Sequence, residues 1–287
     1  MKAANKKKRA GILAITDGLI LVDVSTKGRP TMFSVANPML RQWIDIPQPP
    51  ISYDIVIQGT ALVTQMNNSD LTLRFFRLIP ANGLSAMSPR IVQRFSSNPI
   101  NLNGCLYWLC RETNVIFAYD YYDHSEISCV IKLPTLFRSE GYEDTLTISC
   151  GSLMYMTTDY KRNQELKIWR LENYISGSSK GSWELLWNLN PGLDLSFITD
   201  PVVMHPFDNE IVYLVTRQTN YSQTHVYLVS CNLGTKKFQV HKEWNQKYRN
   251  LGDYEPRLFH QFVLPQRLSS IPCPPGCTLV TLPQQHY

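Results

Sequence analysis

Four clusters of residues in this chain have types and spacings that chemistry could use. Cys273 and Cys277, with His286 close behind, offer soft and borderline metal ligands. A structural zinc site needs four ligands in tetrahedral reach, and no second Cys pair of standard spacing accompanies this one. Gly177, Ser179 and Gly181 reproduce the G-x-S-x-G spacing of serine hydrolases. That motif works only where a strand turns sharply into a helix. Here it lies in a Ser/Gly-rich segment that leads into the apolar run beginning at Trp183, so a flexible hairpin loop is expected. Asp120, Asp123 and His124 fall in one turn, which suits either acid–base chemistry or an Asx-type loop. Lys236, Lys237, Phe238, His241, Lys242, Trp244, Lys247, Tyr248 and Arg249 interleave cations with aromatic rings. Such interleaving can stack and neutralise single-stranded nucleic acid, and equally marks an outer strand with lysines reaching to water.

Composition weighs against most of these chemistries. Lys and Arg number 28 against 23 Asp and Glu, for a formal net charge of +5. Part of that excess sits in one run, Lys6, Lys7, Lys8 and Arg9, and the remainder is close to neutral. This argues against a nucleic-acid partner. The basic run itself is read as a solvated tail over residues 1–10, or as a nuclear address. The odd count of 7 cysteines, without a secretory leader, suits free thiols in a reducing compartment, so the expected location is cytoplasmic or nuclear. The apolar stretch Gly11 to Ile15 breaks at Thr16–Asp17, too short for a signal core or a membrane span. No phosphate-binding glycine loop, paired-His zinc helix or calcium loop occurs in the sequence. No catalytic residue, metal or cofactor is expected.

The elements that must position any site are strands. Apolar and aromatic runs of four to eight residues alternate with turn clusters throughout. A turn pair followed by a short apolar strand recurs. Asp17–Gly18 precedes Leu19 to Val22, Gln58–Gly59 precedes Ala61 to Val63, and Asn103–Gly104 precedes Leu106 to Leu109. Cys150–Gly151 precedes Leu153 to Tyr155, and Asp208–Asn209 precedes Ile211 to Leu214. The spacings are about 41, 45, 47 and 58 residues, near the period of propeller blades. Each recurrence is followed by further strands, making about four per unit. A four-stranded blade cannot bury both faces alone, whereas blades stacked around an axis can. The expected fold is therefore all-β: a β-propeller of about six four-stranded blades forming a single domain over residues 11–287. Five blades are readable, and Leu251 to Leu264 would complete a sixth. The tryptophans Trp43, Trp108, Trp169, Trp183 and Trp187 are expected to pack between blades. The Pro-rich segments Ile46–Ser52 and Ser270–Cys277 are expected to be connectors.

The motifs also carry a resemblance. Asp17-Gly18-Leu-Ile-Leu, then Asn37-Pro38-Met-Leu-Arg41-Gln-Trp43, then Ile46-Pro-Gln-Pro-Pro50 resembles the opening of the F-box-associated domain of plant F-box proteins. Leu102-Asn103-Gly104-Cys-Leu-Tyr-Trp108-Leu continues that pattern. So do Ala118-Tyr-Asp120 with Ile131-Lys-Leu-Pro134, Gly151 with its strand, and Ile168-Trp169 with Trp183-Glu-Leu185. The resemblance covers Gly11 to Trp244. It implies a kelch-like propeller that captures a protein substrate for an SCF-type ubiquitin ligase, and it makes Gly18, Asn37, Pro38, Arg41, Trp43, Asn103, Gly104, Trp108, Asp120, Gly151, Trp169 and Trp183 structural motif positions. The family's F-box, which binds a Skp1-type adaptor, would precede Asp17, where only sixteen residues stand, mostly Lys and small ones. The adaptor is thus a partner only if an F-box is supplied elsewhere. The alternatives are a propeller enzyme with carboxylate or His chemistry in its channel, and an adaptor-less competitor of full-length relatives. Substrate contacts are expected on the loops Asn67–Asp70, Asp120–Ser125, Tyr174–Gly181 and Arg217–Gln223.

Overall fold

The computed structural model describes residues 8–26, 29–46, 59–67, 70–78, 99–111, 113–122, 129–134, 142–159, 165–172, 181–190, 197–219, 223–247, 271 and 278–281. Every element among them is a strand. The chain forms two compact units, Met1–Arg94 with His260–Tyr287, and Phe95–Phe259.

The first unit contains β1 (Lys8–Thr16), β2 (Leu19–Thr26), β3 (Arg29–Asn37), β4 (Gln42–Ile46), β5 (Gly59–Asn67) and β6 (Asp70–Leu78). β1 to β4 form an antiparallel meander, and β5 and β6 pair as a hairpin. Ala14, Leu19, Leu21, Val35 and Ile44 from the meander share a buried cluster with Leu62 of β5. At the β1–β2 turn, the Thr64 hydroxyl donates to the Asp17 carboxylate, a second tie to β5.

The second unit contains three four-stranded meanders. They are β7 (Ile100–Leu102) to β10 (Cys129–Lys132), with β8 (Cys105–Cys110) and β9 (Val115–Asp120) between; β11 (Tyr142–Ser149), β12 (Ser152–Asp159), β13 (Glu165–Glu172) and β14 (Ser182–Leu189); and β15 (Phe197–His205), β16 (Asp208–Thr219), β17 (Gln223–Asn232) and β18 (Lys237–Lys247). Burial follows position in the sheet. The second strands β8 and β12 are buried on both faces, whereas β14, last in its sheet, has no fully buried residue and is half exposed. β10 alternates, with Cys129 and Ile131 inward and Val130 and Lys132 outward. An interior strand is therefore apolar over consecutive residues, as in Leu106–Leu109 and Leu153–Met156, and an outer strand needs only a period of two.

These meanders stack face on face, as blades do. Tyr107, Leu109, Ile116 and Ala118 of one pack on Leu146, Tyr155 and Trp169 of the next. Met154, Met156, Leu166 and Ile168 pack in turn on Met204, Val212, Leu214 and Val229. Polar contacts repeat the step. The Trp183 indole N–H donates to the Lys132 carbonyl at 2.8 Å, and the Ser149 hydroxyl donates to the His205 carbonyl at 2.7 Å.

Four expectations change. First, β1 begins at Lys8, so the backbone of Lys8, Arg9 and Ala10 pairs with Thr26, Ser25 and Val24 instead of ending a tail. β1 is the last strand of its sheet among the described residues, and an edge strand accepts such charged residues. Second, the β15–β16 turn falls at Pro206–Phe207, not at Asp208–Asn209, with His205 opposite Asp208. Asp208 closes that reversal and accepts the Glu210 amide at 2.9 Å, an Asx bond at the start of β16. Third, the first sheet has five strands. The residues after the Pro-rich stretch supply β19 (Leu279–Thr281), which pairs antiparallel with β4. Fourth, Ile271, inside the presumed connector Ser270–Cys277, is 2% exposed and belongs to the first unit's core. Of the second readable unit, the β5–β6 hairpin is described. Leu251 to Leu264, read as completing a sixth blade, lies outside the described residues.

Candidate functional site

Turn chemistry determines what each end of a sheet presents. Asp17–Gly18, Asn103–Gly104 and Cys150–Gly151 all have both residues at positive φ, the two-residue reversal that matches strand twist. At Gly104 a Cβ would lie 2.6 Å from the Tyr122 ring, so glycine serves both the φ and the packing. Three of the four third strands, β3, β9 and β17, end on Asx residues. Asn37 Oδ1 accepts the Met39 and Leu40 amides, both at 3.1 Å, while Asp120 Oδ1 accepts the Tyr122 amide at 2.9 Å. Asn232 Oδ1 accepts from Thr235 in the same way. Asn37, Pro38 and Arg41 therefore sit in one turn, with Arg41 at φ 53° and Trp43 two residues on in β4. Trp108 and Trp169 are buried, and Trp183 packs on the cluster around Tyr155.

The opposite end of the second unit carries the ionisable groups. It gathers the connections from second to third strands together with the starts of β11 and β15. Arg111, just past β8, reaches the next sheet. Its Nε lies 2.5 Å from Asp144 Oδ1, its terminal nitrogen donates to the Asp144 carbonyl at 2.5 Å, and Glu143 is 3.5 Å away. The Tyr155 hydroxyl donates to the other Asp144 oxygen at 3.1 Å. One sheet further, Arg217 of β16 pairs with Asp200 of β15. Asp200 is 1% exposed, and its Oδ1 has no hydrogen-bond partner among the described residues. Burial pushes its carboxyl up to about 6, against the downward pull of Arg217, with Glu143 adding repulsion and Arg111 relief. These groups thus sense one another across three consecutive sheets.

This ion network brings together residues that sequence reading did not single out. Its one local signal is acid inside an apolar strand: Glu143-Asp144 ahead of Thr-Leu-Thr-Ile, and Asp200 ahead of Pro-Val-Val-Met. A charge in such a place must be paired or shifted. The network differs from an acid–base pair in that Asp144 and Asp200 are each held by an arginine.

Other expected sites fare differently. Asp120 begins its loop as an Asx residue, but Asp123 and His124 lie outside the described residues, as do Ser179, Cys273, Cys277 and His286. Cys105, Cys110, Cys129 and Cys231 are buried and Cys150 is exposed, each of them outside any disulfide. Among the described residues no group of three metal-ligating side chains converges. Within the second unit the expected contact loops divide between two ends. The loop after Arg217 joins a second to a third strand, whereas those after Asp120 and Glu172 join third to fourth strands and emerge oppositely.

Stacked four-stranded meanders, joined through short reversals, define the class of propeller scaffolds, whose loops are the variable part. A family model described as F-box protein At3g26010-like, beta-propeller, matches residues 1–81 and 82–255, so the chain belongs to that family. Among curated relatives, all from Arabidopsis thaliana, the chain is 28% identical to Putative F-box protein At3g23970, over 93% of this chain and 76% of that protein. It is 30% identical to F-box protein At3g26010, over 84% of this chain and 65% of that protein. It is 27% identical to Putative F-box/kelch-repeat protein At1g15680, over 92% and 72%.

Proposed function

We propose that this propeller is the substrate-capturing part of an SCF-type ubiquitin ligase receptor and performs no catalysis of its own. The observation that supports this most is the family match over residues 1–255, whose relatives bear the name F-box protein. Stacked sheets with buried interiors give a rigid frame, and the loops at their ends give variable contact surface. The arginine-held carboxylates support a structural and recognition role over proton transfer. The partner is a protein substrate, and a Skp1-type adaptor joins where an F-box is present.

A pull-down of the tagged chain from plant extract, read by mass spectrometry and probed for Skp1-type adaptor and cullin, tests this. Recovery of both with other enriched proteins supports the receptor reading. Recovery of protein partners without adaptor leaves a recognition module or competitor, and the ligase role then falls for this chain.

A further inference from the structure

The first sheet differs from the three meanders of the second unit in having a fifth strand, and that strand comes from the far end of the chain. β19 pairs through Leu279, Val280 and Thr281 with Ile44, Trp43 and Gln42. Its residues are half-buried or exposed. β4 runs on to Asp45 and Ile46, which pair with no residue of β19 among the described residues. Ile271, by contrast, is deeply buried, and its amide donates to the Gln42 side chain at 3.3 Å. The C-terminal segment is thus held at two points of unequal strength. Between them the sequence runs Pro272-Cys-Pro-Pro-Gly-Cys-Thr278, whose prolines cannot extend a ladder. Release of β19 would leave Ile271 in place.

We propose that the outer edge of β4 is a strand-docking site, filled in cis by β19, at which an extended segment of a protein partner displaces β19 and pairs antiparallel with Gln42–Ile46. β19 itself shows the chemistry that fits: an apolar residue, a β-branched apolar residue and Thr, with Leu279 reaching the core cluster. A partner strand that spans the whole of β4 gains two residue positions that β19 lacks. It must compete with a tethered strand, so it needs that extra length. That the displacing segment belongs to a ubiquitination substrate rests on the receptor reading above; the edge itself does not.

The test uses the full chain and a fluorescein-labelled peptide spanning Gly276–Leu282, which in the register of β19 can run along β4 as far as Ile46, followed by fluorescence anisotropy. Val280→Pro weakens the cis strand, because proline cannot serve the ladder. The peptide is expected to bind this variant about tenfold or more tightly than the unaltered chain, the difference being loss of the tethered competitor. A peptide carrying the same proline is expected not to bind. Equal affinity for both proteins, or no binding to the variant, overturns the proposal. A second measurement needs no variant. In the unaltered chain, the amides of Leu279–Thr281 should exchange with solvent about tenfold or more faster than those of Leu19–Val22, since weakly held strands open locally. Equal protection means a permanent strand and overturns displacement. Failure here leaves the pull-down untouched, and an adaptor-free pull-down leaves the edge chemistry untouched.

Discussion

Replacing Asp200 with Asn should remove a component of stability that grows as pH falls. Asp200 is buried in the first half of β15, with one oxygen on Arg217 and the other without a hydrogen-bond partner among the described residues. Its carboxyl is raised from 3.8 to about 6 in the folded chain, chiefly by burial. A carboxyl raised on folding binds its proton more tightly in the native state. Its charged form therefore destabilises the fold above pH 6, and protonation restores stability as pH falls through 6 toward 3.8. The whole difference is roughly 3 kcal/mol, and about 1.4 kcal/mol of it should appear between pH 7.5 and pH 5. For a unit of this size that corresponds to about 3–5 °C in Tm. The assay is calorimetry of the unaltered chain and of D200N across that range, comparing the difference in Tm so that other titrating groups cancel. The unaltered chain should gain on D200N by that amount toward pH 5. A difference that stays flat, or that moves in D200N's favour, refutes the argument that burial outweighs Arg217 at this carboxylate.

The remaining expectations concern turns, the ion network and the C-terminal segment. Cys150 holds φ 48°, where Asn is tolerated better, so C150N should raise stability by about 1 kcal/mol in urea unfolding. Gly151→Ala should cost about 1 kcal/mol from its φ of 72° alone, since nothing lies near its Cβ position. Gly104→Ala should cost more and alter the near-UV signal, because the Tyr122 ring must move aside. Arg111→Met takes the arginine away from Asp144, whose side chain is 6% exposed, and should cost about 3–5 kcal/mol by denaturant titration. Ile271→Ala should cost about 2–5 kcal/mol by the same measurement, as expected of a side chain at the centre of a packed cluster.

Gly18, Gly104 and Gly151 were legible as turns because positive φ is a local demand met by few residues, and a repeated local demand reveals a repeated unit. The strands were legible for a similar reason: burial on one or two faces imposes a period or a run on neighbouring residues. At Pro206–Phe207 the same reasoning failed, because that reversal uses no glycine and Asp208–Asn209 nearby imitates the usual signal. The ion network left almost no trace in the sequence. Asp144 and Arg111 stand 33 residues apart, and only the stacking of one sheet on the next makes them partners.

What the sequence by itself determined, then, is the β-class, the meander unit and its repetition, through turn residues and periodicity that act within a few positions. The tertiary structure decided which carboxylate is buried and which cation answers it, that Ile271 is core and not connector, and that Leu279–Thr281 completes the sheet begun near the opposite end of the chain. These depend on contacts between residues distant in sequence, where no local preference selects one partner over another; packing and desolvation select it instead.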